Sequence, residues 1–467
     1  MIRYALALVV ALCSAEAAGQ PTPLTLEEVL RSSARSAPQV VEALARVRQA
    51  EGRALSAEGA FDTVFDVESR SRATGYYDGS IVESRATQPF GSNGGYVYGG
   101  YRASRGSFPI YEDQAFTNRL GEAKAGVLFA LLRDRVVDER RTRRSVAGAD
   151  LDVARFEAEM VAIGVQRRAL DSYQNWVAAG LRLQAYRDLL ELAERRRGAI
   201  ERQVERGARP AILMTENDQN LLRRRALVVR AEQDFASAAN ALSLYLRDDG
   251  GAPVLVTPER LPADSAALAG VTVAERSIAP TVRPDYRSIL SRIDQSTARL
   301  MLAENDLAPR LDLRGEVSKD IGAPGVGGSS RSPLDVAVGF RFSVPLQNRT
   351  AKGRVAEARA EIEALAQRKR FLQDQIAIEV EAIVIAVDGA ERLATIAEEE
   401  RNLADKLAAA ERREFELGSG DFFVVNQREE TATDARVRLI DAQARIASAR
   451  AELAAATADR KALGLGI

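Results

Sequence analysis

The sequence predicts an α+β fold made of two tandem helix-strand-strand-helix repeats. Two stretches, residues 138–206 and 351–417, are each close to seventy residues of helix-forming sequence with no internal proline. At about 1.5 Å per residue, either helix would be roughly 100 Å long, whereas typical globular helices have about 8–20 residues. A compact enzyme core is therefore not expected. The other two observations are an internal repeat and a clustering of aromatic residues in β-like segments.

The internal repeat is visible when the sequence is aligned with itself. The order of the matching landmarks is the same in both halves, which favours a tandem repeat over chance similarity between alanine- and arginine-rich helices. The aligned pairs, at shifts of 246, 214 and 211 residues, are Pro38 with Pro284, residues 132–135 with 346–349, and residues 205–207 with 416–418.

The repeat gives a division of the chain into domains. The predicted segments are a signal peptide at 1–17, a first repeat at 18–249 with strands at about 61–131 and a helical hairpin at about 138–249, a linker at 250–280, and a second repeat at 281–467 with strands at about 310–346 and a helical hairpin at about 351–465.

The N-terminal residues are typical of a secretory signal peptide. A basic start is followed by the apolar residues 5–12 and an alanine-rich cleavage site. A buried N-terminal helix is the alternative. The residues around Cys13 faintly resemble a lipoprotein box, but Leu12 is a poor residue before a lipidated cysteine, so lipidation stays open. The predicted destination is the cell envelope.

In the first half, residues 38–60 are predicted to be helical and the β region follows. Phe65 and Val67 share one parity while Asp66 and Glu68 share the other, which predicts a strand within 61–75. Residues 120–131 form the next strand candidate. The tract at 76–117 is rich in Gly, Ser and Tyr, so a long surface loop is expected there, with room for a hairpin around 96–101.

In the second half, residues 284–306 are predicted to be helical, and strands are expected at 310–319 and 334–346. The last strand alternates bulky apolar residues (Val336, Val338, Phe340) with small or charged ones. Such alternation fits a barrel wall between lipid and water. An ordinary half-buried strand would show it too, but the export signal and the long helices favour the barrel.

Composition excludes several classes of protein. Lys plus Arg is 65 and Asp plus Glu is 66, so the basic excess of a nucleic-acid binder is missing. The sequence has no histidine, and its one cysteine is Cys13 in the predicted leader. Histidine bases, thiolate nucleophiles and the usual zinc sites are thereby excluded. We expect no catalytic residues, no cofactor and no metal, and an exported enzyme using paired carboxylates has little support.

Three motifs carry a resemblance to a known family. The first motif is residues 24–30 (LTLEEVL) followed by 37–39 (APQ). The second is residues 342–349 (FSVPLQNR), with a weaker partner at 128–135 (LFALLRDR), and the third is residues 415–428 (FELGSGDFFVVNQR). They resemble the opening segment, the strand-to-helix junction and the hairpin tip of the TolC-type outer-membrane efflux proteins. The resemblance covers nearly all of the predicted mature chain.

The resemblance implies a homotrimeric, twelve-stranded outer-membrane β-barrel, to which each chain gives four strands, continued by a long periplasmic coiled-coil tunnel. It implies a passive exit duct of a tripartite efflux or type I secretion system. The partners would be a periplasmic adaptor (membrane fusion) protein, an inner-membrane transporter and outer-membrane lipid. Physical reasoning agrees on oligomerisation, because four strands leave open edges that cannot lie in hydrocarbon.

The resemblance also places a gate at the periplasmic tips of the helical hairpins. Where the family has an aspartate in its tip motif, this chain has Leu213 and Val424. We hypothesise an apolar ring from these two residues. The alternative is that both are ordinary coiled-coil residues and that Asp421 caps the helix starting at Phe422. The polar gate candidates nearby are Glu216, Asp218, Asp421 and Gln427.

The same tips are the expected docking surface for the adaptor. Glycine there is also needed wherever the turn takes a positive φ. The many arginines, such as those at 223–225, are interpreted as solvated helix faces. A soluble periplasmic coiled-coil scaffold or adaptor is the alternative function, and the transported substrate is not determined. The docking candidates are Gly207, Arg209, Pro210, Gly418 and Gly420.

Overall fold

The structure is a computed structural model that describes residues 22–108, 115–207, 210–273, 279–325, 333–417 and 419–466. The predicted signal peptide with Cys13 lies outside the described residues. The helices are α1 (Leu26–Ser36), α2 (Pro38–Glu58), α3 (Glu139–Glu205), α4 (Ile212–Leu242), α5 (Pro284–Asn305), α6 (Arg349–Glu416) and α7 (Phe422–Ala456). The strands are β1 (Val64–Ser71), β2 (Ser80–Pro89), β3 (Tyr96–Arg105), β4 (Glu122–Ala130), β5 (Arg310–Asp320) and β6 (Asp335–Ser343).

The two long helices predicted from the sequence are confirmed. Helix α3 has 67 residues and α6 has 68. Helix α3 ends at a turn in which Gly207 has a φ of +71°, a conformation that residues with a Cβ rarely adopt. None of the described helices carries an apolar stretch long enough for a membrane crossing.

All six strands form one antiparallel sheet in the order β1-β2-β3-β4-β5-β6. The strands expected at 61–75, 120–131, 310–319 and 334–346 are present as β1, β4, β5 and β6. The interpretation of 76–117 as a long loop was wrong, because β2 and β3 lie there and are inserted between β1 and β4. The implied four strands per chain is therefore also wrong, and the first half contributes four strands by itself.

The inserted β2–β3 hairpin is held against the sheet by the turn that joins β2 to β3. The Asn93 side chain, which is 3% exposed, donates to the Ala130 carbonyl at 2.9 Å and accepts from the Ala130 amide at 3.0 Å. Its Oδ1 also accepts from the Gly95 amide at 2.9 Å. Arg141 at the start of α3 donates to the Ser92 carbonyl at 2.8 Å. Because buried amide groups need such partners, the turn is held in one position against β4 and α3.

The chain forms two compact units, and they do not coincide with the two halves of the sequence. The first unit comprises residues 1–40, 162–278 and 379–467, and its core is centred on Trp176, which stacks on Phe235 with ring centroids 5.9 Å apart. The second unit comprises residues 41–161 and 279–378 and contains the whole sheet. The domain boundaries predicted from the repeat stay a prediction.

Candidate functional site

One face of the sheet is apolar and exposed. The cross-strand register keeps side chains of one parity on the same face of all six strands, and on this face the cross-strand partners include Phe129 with Leu313 and Leu313 with Phe340. An exposed apolar surface that crosses a whole sheet marks contact with another apolar phase or molecule. Its exposed large side chains are Phe65, Val67, Val82, Val97, Tyr101, Phe129, Leu313, Val317, Val336, Val338, Phe340 and Phe342.

The opposite face of the sheet is charged and hydrogen-bonded. Arg102 pairs with Glu122 at 2.6 Å across β3 and β4. Lys124 pairs with Glu83 at 2.5 Å, and the Tyr98 hydroxyl donates to Glu316. These groups are half-buried to buried in a single chain. The strands have 8 to 11 residues, close to the ~9–11 residues of a membrane-spanning strand. The sheet is thus suited to separate an apolar medium from water.

A buried charge cluster lies near the tips of the helical hairpins. Glu429 of α7 is 2% exposed, and three arginines from three other helices bind its carboxylate. Arg224 of α4 lies 3.4 Å from the Oε2 atom, and Arg412 of α6 lies 3.3 Å from the Oε1 atom. Arg196 of α3 also forms an ion pair with Oε1. Four helical segments within the first compact unit are therefore joined through one side chain.

Further hydrogen bonds complete this cluster. The Asn426 Oδ1 accepts from Arg196 at 2.7 Å and from Arg224 at 3.2 Å, and Arg224 also donates to the Leu189 carbonyl at 3.0 Å. The Arg196 guanidinium lies 5.7 Å from the Phe415 ring centroid, within cation–π range. Burial lowers the pKa of Arg224, while the charge of Glu429 opposes this shift. An arginine remains charged under these conditions.

Sequence reasoning missed this cluster, and its interpretation of Arg224 was wrong. Arg223 and Arg225 are exposed, as expected of a solvated face, but Arg224 is 1% exposed. It follows Leu221 by three residues and precedes Val228 by four, so it occupies the packing face of α4. This spacing is the pattern in the sequence that could have identified it.

The residues of the hypothesised apolar ring lie on the first turns of α4 and α7. Leu213 and Val424 are half-buried. Asp218 forms an ion pair with Arg197 at 3.1 Å, so a structural role explains it without a gate. In the described part of the chain, no hydrogen bond or ion pair joins the gate candidates to one another. The remaining candidates, Glu216 and Gln427, are exposed.

The prediction that Asp421 caps a helix is confirmed. Helix α7 begins at Phe422, and the Asp421 side chain accepts a hydrogen bond from the Phe423 amide at 2.7 Å. This bond satisfies one of the unpaired amides at the helix N-terminus. The side chain stays exposed, so its charge is also available at the tip.

The docking candidates differ in accessibility. Gly207 and Pro210 are exposed, whereas Arg209 and Gly418 lie outside the described residues. Gly420 was expected to be an exposed tip residue, and this was wrong. It is buried, and an added Cβ would lie 2.6 Å from the Phe415 amide nitrogen. The close approach of the Phe415 backbone therefore requires a glycine at position 420.

The described residues contain no group of three or more His, Cys, Asp or Glu side chains that could hold a metal ion. No protein-family model matches the sequence, and no curated protein matches it significantly. Solved structures do match.

Three of the matching structures are outer-membrane proteins of bacteria. The Campylobacter jejuni CmeC outer membrane channel is 14% identical with a TM-score of 0.60, and the match covers 98% of this chain and 93% of that one. The outer membrane protein VceC from Vibrio cholerae is 15% identical with a TM-score of 0.60, covering 94% and 96%. The open state of the Neisseria gonorrhoeae MtrE outer membrane channel is 15% identical with a TM-score of 0.63, covering 94% and 89%. Over nearly its whole length, this chain has the fold of TolC-type outer-membrane channels.

Proposed function

We propose that this protein is a homotrimeric outer-membrane channel, the passive exit duct of a tripartite efflux or type I secretion system. The observation that carries the proposal is the sheet with an exposed apolar face and a charged opposite face. In a closed barrel the apolar face contacts lipid and the charged face lines a water-filled bore. A soluble scaffold would leave this apolar face in water, which disfavours that alternative.

The long helices supply the reach of the duct. A straight helix with the 67 residues of α3 measures roughly 100 Å, enough for a wall that extends from the outer membrane into the periplasm. The helix tips then face the inner membrane. There they contact a periplasmic adaptor protein and its transporter, through the tips at which α3 is followed by α4 and α6 by α7.

Cell fractionation tests the proposal directly. We expect the protein in the outer-membrane fraction, as a trimer whose mobility in detergent gels changes on heating, and ion conduction after reconstitution in planar bilayers. Deletion of the gene should raise sensitivity to at least one exported compound. A monomeric periplasmic protein that does not conduct ions would contradict the proposal and support the scaffold alternative.

The gate hypothesis predicts separable effects at Asp421. Asparagine caps a helix about as well as aspartate does, whereas alanine costs about 0.5–2 kcal/mol in the free energy of unfolding. If the charge of Asp421 acts on ions at the tip, Asp421→Asn and Asp421→Ala both change ion selectivity, but only Asp421→Ala is destabilised.

The matched experiment for the apolar ring is single-channel conductance of Val424→Ala. We expect this variant to raise the leak, because the smaller alanine side chain widens the opening of the ring. Unchanged leak in Val424→Ala, together with unchanged selectivity in both Asp421 variants, would remove the gate assignment and leave the cap as the role of Asp421.

A further inference from the structure

The two edges of the sheet, β1 and β6, consist entirely of exposed residues. Each leaves one row of backbone amides and carbonyls without a strand partner in the described residues, and such edges pair with further strands. We propose that β1 of one copy pairs antiparallel with β6 of the next copy, in a register that sets Asp66 beside Arg341, so that three copies close an eighteen-stranded wall. This inference rests on the homotrimer of the proposed function.

Strand ends determine the register. Strand β1 begins after α2 and β6 ends before α6, so the first residue of β1 and the last residue of β6 are both at the helix side of the sheet. Side by side, these ends set Val64 opposite Ser343 and Ser71 opposite Val336. All eight residues of β1 then have a partner in β6. The apolar face also stays continuous, which a shift by one residue would not allow.

The stagger of the sheet agrees with this register. In the proposed pairing, Ala337 meets Arg70 of the next copy, six residues along β1 from Val64. That is a stagger of one residue for each of the six strands. With about 3.4 Å per residue and about 4.8 Å between strands, the strands tilt by roughly 35°, within the range of closed barrels. The line of direct partners across one copy is Val64, Thr87, Tyr98, Gly126, Glu316 and Ala337.

Side chains on both faces complement one another in this register. The side chains of Asp66 and Arg341 lie on the charged face and have no hydrogen-bond or ion-pair partner among the residues that the structure describes. Directly opposite each other, they form a cross-strand ion pair. On the apolar face, Phe65 comes to lie beside Phe342, and both are exposed in the single chain. Opposite-charge and aromatic pairs are favourable cross-strand neighbours.

The nearest competing register is less complete. A shift by two residues keeps the faces matched and places Glu68 opposite Arg341. It also sets Val64 opposite Pro345, which lies beyond the end of β6 and has no amide to donate. A shift by two residues in the other direction reduces the tilt to roughly 25°, below the usual range of barrels.

Disulfide cross-linking of outer-membrane vesicles tests the inference. The sequence has one native cysteine, Cys13 in the predicted leader, so introduced thiols are read against a low background. We expect Asp66→Cys/Arg341→Cys to give covalent trimers after mild oxidation, and Glu68→Cys/Arg341→Cys and Val64→Cys/Arg341→Cys to give much less. The within-chain pair Glu68→Cys/Glu83→Cys, on partners of β1 and β2, is the positive control for oxidation and for the inserted hairpin.

A charge exchange provides the second measurement. Arg341→Asp alone should lower the fraction of trimer in native mass spectrometry by up to about fivefold, and Asp66→Arg/Arg341→Asp should restore it. A trimer in the outer membrane that cross-links only through Glu68 or Val64, or not at all, would overturn the register while leaving the proposed function intact. A monomer outside the outer membrane would instead overturn the proposed function itself.

Discussion

Replacing Glu429 with glutamine is expected to lower the free energy of unfolding of the first compact unit by about 3–5 kcal/mol. The carboxylate is 2% exposed and is bound by Arg196, Arg224 and Arg412. A glutamine keeps the size of the side chain but leaves the buried Arg196 without a counter-charge and Arg224 with only Glu430, 4.0 Å away. An unpaired buried charge costs far more than the pair contributed, so the loss is large. Thermal unfolding of the detergent-solubilised protein, followed by helical circular dichroism, measures it.

The control for Glu429→Gln is the same substitution at an exposed ion pair. Glu400 binds Arg438 at 2.8 Å, and the side chains of both residues are about half exposed. Glu400→Gln should change the free energy of unfolding by less than about 1 kcal/mol, because water and salt screen exposed pairs. Equal destabilisation of the two variants would show that Glu429 is not buried as the structure has it.

An element could be predicted from the sequence when the residues that determine it lie close together in the chain. The long helices α3 and α6 were predicted because nothing in their sequence interrupts helix formation over nearly seventy residues. Strand β6 was predicted because its exposed apolar residues alternate strictly. Apart from the hairpin allowed around 96–101, strands β2 and β3 were not predicted, because on their apolar face small or polar residues such as Ser84, Ala86 and Gly99 replace bulky ones. What makes them strands is pairing with β1 and β4, which a single segment does not reveal.

The same distinction holds for the tips. The cap at Asp421 is a local pattern, one acceptor before one helix start, and the sequence was sufficient to predict it. The pairing of Arg224 with Glu429 joins residues on two helices that are 205 positions apart in sequence. Among three consecutive arginines, composition cannot show which one faces the neighbouring helix. Only the three-and-four spacing of apolar residues around Arg224 could have done so.

Gly95→Ala is expected to prevent the β2–β3 hairpin from fitting against β4. A Cβ at Gly95 would lie 1.8 Å from the Leu128 carbonyl oxygen, and a backbone atom within a paired strand cannot move aside as a flexible side chain can. The Gly95 amide also donates to Asn93, which holds the turn on Ala130. We expect a loss of at least about 3 kcal/mol in the free energy of unfolding of the sheet, at the upper end of overpacking costs.

Gly91→Ala is the matched control in the same turn, because a Cβ there meets nothing within 4 Å. It should leave the free energy of unfolding within about 1 kcal/mol of the wild type. If all six strands belong to one membrane wall, the damage reaches assembly, because a displaced hairpin separates β1 from β4 and opens the sheet. The yield of heat-modifiable trimer in the outer membrane should then fall sharply for Gly95→Ala and stay unchanged for Gly91→Ala. Equal trimer yields from the two variants would mean that the inserted hairpin is not part of the wall, and the barrel would have to close through β1 and β4.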